Sequence, residues 1–292
     1  MLIFINGKYY KEHEACISVL DHGLLYGDGV FEGIRIYEGK VFCLREHLKR
    51  LYDSAQALIL NISMTIDEMQ EAVLETVRVN KLQNGYIRLI ATRGVGDLGL
   101  NPYNCKRALI IIIADKIQLY PEKLYERGLE VVTVATKRNI PEALDPNIKS
   151  LNYLNNIMAK VEAIRSNVQE AIMLNYQGYV AECTGDNIFI ISKNKLITPP
   201  SWVGALNGIT RQVVIELAEK KLKLKVREDV FTRYHVYTAD ECFLTGTAAE
   251  VIPVVRVDNR NIGSGKPGHI TLRLIKEFRK LTKSTGVPVY KR

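Results

Sequence analysis

Three stretches of the 292-residue sequence set residue types at spacings that suit chemistry. Gly208-Ile209-Thr210 precedes an apolar-periodic run from Thr210 to Lys221. It therefore opens a helix, whose first N–H groups and positive dipole end suit an anion, with Ile209 and Thr210 as donors. Gly246-Thr247 is a second small-residue turn, able to add a hydroxyl and an amide to such a cradle. In Pro146-Asn147-Ile148-Lys149-Ser150-Leu151-Asn152-Tyr153 a lysine stands in an irregular loop just before a helix, with a tyrosine four residues on. An amine there is a candidate for bonding to a carbonyl carbon. Singly these features are ordinary, because most lysines are solvated and most glycine turns only cap an element.

A fourth stretch, Gly94-Val95-Gly96-Asp97-Leu98-Gly99, has the spacing of a dinucleotide fingerprint and follows a strand-like run. That fingerprint needs glycines that open a helix, whereas Asn101-Pro102-Tyr103-Asn104 and another strand-like run follow here. A glycine-rich hairpin loop is expected, and a nicotinamide-dependent oxidoreductase loses its one motif.

The elements that must position these residues are short and mixed. Strand patterns at Met1–Ile5, Gly33–Tyr37, Tyr86–Thr92 and Ala108–Ala114 surround helical patterns at Leu44–Leu60 and Ile66–Asn80. In the first helix Leu44, Leu48, Leu51, Ala55 and Leu58 form one core-facing stripe, with Arg50 just off it. The polar stretch 118–128 reads as a linker, dividing the chain into a small domain, 1–117, and a large one, 129–292. The second domain should hold strands at Leu129–Ala135, Glu170–Leu174, Ile188–Ser192 and Lys195–Thr198, with more near Leu224, Glu241 and Val251. Its helices are expected at Leu154–Ser166, Thr210–Lys221 and Thr271–Lys283. Strand clusters interrupted by helices, without steady βαβ alternation, predict an α+β, two-domain fold.

Composition excludes several classes. Hydrophobic residues at 47% and charged residues at 25% are those of an ordinary globular protein. The net charge of +8 raises the question of nucleic acid, but the densest basic stretch, Lys220–Arg227, alternates apolar and basic residues as a half-buried strand does. No RNA-module or helix-turn-helix signature accompanies it, so no nucleic-acid partner is expected. The N-terminal apolar run is too short for a secretory signal and no later one is long enough to span a bilayer, which predicts no membrane association and a cytoplasmic protein. The five cysteines are scattered and the five histidines lack ligand spacing, so neither a disulfide framework nor a metal site is expected.

A pyridoxal 5'-phosphate enzyme needs a lysine for the aldehyde, a phosphate cradle and a partner for the pyridine nitrogen. The lysine segment resembles the cofactor-lysine region of the fold type IV pyridoxal-phosphate enzymes. The resemblance recurs in order along nearly the whole chain: Asp21–Arg35, Arg45–Leu51, Tyr86-Ile87-Arg88, Ala181–Asn187, Gly208–Arg211 and Gly246–Glu250. It implies that Lys149 carries the cofactor as a Schiff base and, once released, shuttles a proton. Glu182 would face the pyridine nitrogen, Tyr153 would bond the phenolic oxygen, and Leu206 would pack on the ring. The phosphate would be held by Ile209, Thr210, Thr247 and the guanidinium of Arg50. For substrate, the pattern sets the α-carboxylate against Tyr86 and the backbone of Thr247 and Ala248, and leaves Arg88 for the distal carboxylate of glutamate. Tyr26 and Phe31 would line an apolar side-chain pocket.

Within the family, Phe31-Glu32-Gly33-Ile34-Arg35 with Tyr86-Ile87-Arg88 is similar to the branched-chain amino acid aminotransferases. That implies transamination of leucine, isoleucine and valine with 2-oxoglutarate, giving branched 2-oxo acids and glutamate, by a homodimer or a larger assembly of dimers. A D-amino-acid aminotransferase and an aminodeoxychorismate lyase share the fold and stay open as alternatives. The chain is compact for the family, and Cys183-Thr184-Gly185-Asp186 replaces smaller residues often found after the acid. Neither departure removes a catalytic group.

Overall fold

The computed structural model describes residues 1–117 and 120–290. Among these, helices and strands are mixed and the strands fall into two sheets, the α+β arrangement expected. The chain divides into two compact units. The first joins Met1–Ile117 to two distant pieces, Ile148–Asn152 and the stretch from Thr282, and the second holds the remainder, including Tyr153–Leu281.

In the first unit, seven described strands pair in the order Val287–Pro288, Lys40–Val41, Gly29–Tyr37, Gly85–Thr92, Leu109–Asp115, Leu2–Ile5, Lys8–Lys11. Strand Gly29–Tyr37 alternates, so that Val30, Ile34 and Ile36 point to one face while Phe31, Gly33 and Arg35 point to the other. The first face packs against helices Leu44–Ala57 and Ile66–Val79 in one apolar cluster with Leu44, Leu48, Leu51 and Val73. Each such leucine, fully buried, contributes roughly 2 kcal/mol by leaving water. The first helix ends earlier than its pattern suggests, with Leu58 as its C-cap. The second helix starts at Thr65, whose hydroxyl accepts from Glu68 N–H while the Glu68 carboxylate accepts from Thr65 N–H.

The glycine stretch from Gly94 lies between strands Gly85–Thr92 and Leu109–Asp115, which pair antiparallel from Thr92 opposite Leu109. It is a hairpin loop, and its one helical turn, Pro102–Asn104, does not begin at the glycines. Arg93 anchors it by a bidentate pair with Asp28, at 2.9 and 3.0 Å.

The second unit holds nine described strands, eight of them in the order Lys225–Glu228, Lys195–Thr198, Asn187–Ser192, Glu241–Gly246, Glu250–Val257, Leu129–Thr133, Glu170–Leu174, Val180–Cys183. The ninth, Arg260–Asn261, pairs with Glu250–Val257. Parallel and antiparallel pairs are mixed. Of the stretch read as a linker, Gln118 and Leu119 lie outside the described residues, while Glu122–Arg127 forms a helix fastened by the Tyr125 hydroxyl to Ala249 O at 3.0 Å. The basic run also differs from its expected strand. Lys220 ends helix Ile209–Lys220, Lys223 takes a left-handed backbone at φ 56°, and the strand begins only at Lys225. Helix termination there overrides an apolar alternation that still sets which residues face water.

Candidate active site

The lysine loop is seated by backbone. Strand Gly29–Tyr37 pairs with Lys40–Val41 only at Ile36 and Tyr37, which leaves that edge of its first half open. Residues 148–152 fill it: Phe31 N–H donates to Lys149 O at 3.0 Å, and Leu151 N–H to Gly29 O at 2.8 Å. Lys149 N–H donates to Ser54 Oγ of the neighbouring helix at 3.2 Å. The ammonium lies 4.6 Å from the centre of the Phe31 ring. Arg88 lies at the same distance from that ring and 5.5 Å from the ring of Tyr86. Lys149, Phe31, Tyr86 and Arg88 thus form one cluster on the sheet face away from the two helices, with cations held on aromatic faces.

Two other expected residues of this unit sit elsewhere. Arg50, from the helix face, makes a bidentate pair with Glu32 at 2.7 and 2.9 Å, on the core side of the sheet. Glu32 is fully buried and also meets His47 Nδ1 at 2.7 Å. Burial pushes the Glu32 carboxyl up, but Arg50 and His47 outweigh it and hold the group at about 2. Burial pushes His47 down, against the opposing pull of Glu32. Tyr26 is exposed at the end of a short helix, and its hydroxyl donates to Leu98 O in the hairpin loop at 2.5 Å.

In the second unit the acid is Glu182, buried near the end of strand Val180–Cys183. Arg138 Nε donates to its Oε1 at 2.7 Å, and Leu206 N–H to its Oε2 at 2.9 Å. The Asn187 side-chain amide donates to Oε2 at 3.3 Å and to Leu206 O at 2.8 Å. Leu206, expected for its side chain, is held here by its backbone. Gly208 is the N-cap of helix Ile209–Lys220 and offers no side-chain cap, so the first turn's N–H groups face outward without a protein acceptor from that residue. A Cβ at Gly208 would fall 2.0 Å from Asn187 Oδ1, so any side chain there would have to displace that amide. Thr247 and Ala248 make the turn between strands Glu241–Gly246 and Glu250–Val257, with Asp186 against Gly246. Thr245, opposite Asn187 in register, buries a hydroxyl that has no hydrogen-bond partner among the described residues. Tyr153 is half-buried at the head of helix Leu154–Arg165.

Sequence reasoning missed Glu32, His47, Arg138 and Asn187. Glu32 carries a signal, being a charge in phase with Val30, Ile34 and Ile36 on a core face. Arg138 sits in a loop and carries none.

A mixed α+β chain with a loop lysine on an aromatic ring, a buried carboxylate and an uncapped helix start has the parts of an enzyme that works on an amino group through an anionic cofactor. The sequence model described as "Amino-transferase class IV" matches residues 29–257, and the chain belongs to that family. A relative from Methanocaldococcus jannaschii, provisionally named a branched-chain-amino-acid aminotransferase, is 49% identical over 290 residues, covering 99% of each chain. The crystal structure of the Escherichia coli branched-chain amino acid aminotransferase matches with a TM-score of 0.94 at 37% identity, over 97% of this chain and 95% of that one. A branched-chain amino acid aminotransferase from Thermobaculum terrenum, solved in its PLP-bound holo form, matches with a TM-score of 0.91 at 31% identity, over 99% and 98%. The fold is therefore that of the fold type IV enzymes.

Proposed function

We propose that this chain transfers amino groups between branched-chain L-amino acids and 2-oxoglutarate with pyridoxal 5'-phosphate as cofactor. The observation that carries the reading is the Phe31 ring with Lys149 and Arg88 each 4.6 Å from its centre. One site then offers an amine, an apolar surface for a leucine-like chain and a cation for the distal carboxylate of glutamate.

The residues fit the cofactor. An uncapped helix start at Gly208 suits a phosphate, and the orphaned Thr245 hydroxyl adds a buried polar group beside the Asn187 amide. When bound, the cofactor supplies an aldehyde for the amino group and a ring that accepts the electrons left as the α-proton departs. Lys149 would hold the aldehyde end and move that proton, Glu182 would keep the ring nitrogen protonated, and Tyr153 would donate to the phenolic oxygen. Ile209, Thr210, Thr247 and Arg50 would hold the phosphate, and Leu206 would lie against the ring. Tyr86 with the amides of Thr247 and Ala248 would orient the α-carboxylate, Arg88 the distal one, and Phe31 the apolar chain.

No described helix is long and apolar enough to cross a membrane. We place the enzyme in the cytoplasm with its small-molecule substrates and without a nucleic-acid partner, as a homodimer or an assembly of dimers. Exposed apolar side chains support self-association: Val19, Leu24, Leu98 and Leu100 in the first unit, Leu154 and Ile157 in the second. The test is the absorption spectrum of the protein reconstituted with pyridoxal phosphate. A visible band that shifts with L-leucine, returns with 2-oxoglutarate and is missing in Lys149→Ala supports the reading. A band that ignores L-leucine but answers D-alanine, or aminodeoxychorismate with release of pyruvate, moves the protein within its family. No lysine-dependent band at all removes the cofactor.

A further inference from the structure

Between Phe31 and Arg35, strand Gly29–Tyr37 leaves a position without a side chain on the face that also carries Tyr86 and Arg88. Gly33 stands there, opposite Arg88 in register, while Tyr86 stands opposite Arg35 and leans diagonally across toward Gly33. A Cβ at Gly33 would fall 1.8 Å from the Tyr86 hydroxyl oxygen, 2.6 Å from Cζ and 3.1 Å from Cε2. Nothing in the backbone asks for glycine: Gly33 is extended strand, and glycine inside a strand weakens it by giving up side-chain packing and adding freedom to the unfolded chain. The tip of Tyr86 is what occupies the space. The Arg88 guanidinium lies over the same Tyr86 ring as well as that of Phe31, so the position of one ring bears on the other two groups.

We propose that Gly33 is a positioning residue for substrate recognition: its missing side chain is a notch that seats the Tyr86 hydroxyl against the sheet and sets where Tyr86 and Arg88 meet carboxylates. The inference rests on the reading of Tyr86 as a carboxylate partner. A methyl group in the notch lifts the ring off the sheet, weakening carboxylate binding without touching the lysine, the acid or the phosphate cradle.

The test compares Gly33→Ala, Tyr86→Leu and the double variant, each reconstituted with pyridoxal phosphate. Leucine replaces tyrosine because phenylalanine would keep the overlap at Cζ. Two quantities are read: KM and kcat with L-leucine, and the Kd of 4-methylvalerate, an unreactive carboxylate of leucine's shape, followed by the cofactor's absorption. Gly33→Ala should raise both KM and Kd about tenfold or more, leave the cofactor band in place and leave Tm unchanged or higher. The double variant should match Tyr86→Leu alone, because the second change then has nothing left to displace. If Gly33→Ala alone does not fold but the double variant does, with the Kd of Tyr86→Leu, the notch also stands. Unchanged KM and Kd in Gly33→Ala, or losses that simply add in the double variant, overturn it. Unchanged KM and Kd in Tyr86→Leu overturn instead the reading of Tyr86.

Discussion

Each unit buries a glutamate that an arginine holds, and the two are put to different uses. Glu32 takes both its side-chain partners, His47 and Arg50, from the single helix Leu44–Ala57. Its carboxylate fastens that helix to the sheet and aims Arg50. Glu182 takes its partners from three separate segments: Arg138 from a loop, Asn187 from the start of a strand, and the Leu206 amide from the loop leading to helix Ile209–Lys220. Its carboxylate ties the loop that leads into the helix start to a strand and to a second loop. The same ion-pair chemistry therefore serves attachment in one unit and site assembly in the other, and what separates the two is how many chain segments converge on the acid.

Two substitutions should break that comparison apart, the larger effect first. Glu182→Gln removes the charge proposed for the ring nitrogen, and transamination should slow by about a thousandfold, equivalent to about 4 kcal/mol of barrier. Steady-state kcat with L-leucine measures this, and a change within threefold would remove Glu182 from the chemistry. Glu32→Gln leaves Arg50 facing a neutral amide in a dry site, so unfolding should become easier by roughly 3 kcal/mol, read from urea denaturation. Its kcat should fall far less than that of Glu182→Gln. Comparable losses of activity in both would mean that Glu32 also acts in the site.

The fold was largely legible because helix and strand patterns are local. The stripe Leu44, Leu48, Leu51 and Ala55 needs only the helical period, and it is the stripe that is buried. The lysine's seat was not legible, since residues 148–152 complete a strand edge more than a hundred residues earlier in the chain, and no local pattern encodes that. The helix start at Gly208 and the tight turn after Gly246 were readable from local residue pattern. The residues that orient the acid, Arg138 and Asn187, were not, because their use depends on which loops meet.

The Glu32 pair can also be weighed by pH. The Glu32 carboxyl is held at about 2, below its ordinary 4.5, so the unfolded chain binds the proton first and the ion pair's stabilisation is present above pH 4.5. As pH falls from 4.5 toward 2 that stabilisation drains away, by about 3 kcal/mol in all. His47, depressed below its ordinary 6.5, works in the same direction, since the unfolded chain takes up its proton first and stability begins to fall below pH 6.5. The loss between pH 4.5 and 2 should shrink in Glu32→Gln, measured by thermal unfolding across that range. An equally steep loss would show that other carboxylates govern acid unfolding.

The smallest effect belongs to an exposed pair joining the two helices of the first unit, Arg45 with Asp67. Both side chains are more than half exposed, at 56% and 79%, so water screens their attraction and ordering two mobile chains offsets it. Asp67→Asn should change unfolding by no more than about 0.5 kcal/mol, including the little that a charge in the first turn of helix Ile66–Val79 adds. Urea denaturation at low and high salt checks this, because screening should erase what difference there is. A loss approaching that of Glu32→Gln would mean that burial is not what gives the interior pair its weight, and the contrast between Glu32 and the surface would have to be sought in the partners rather than in the solvent.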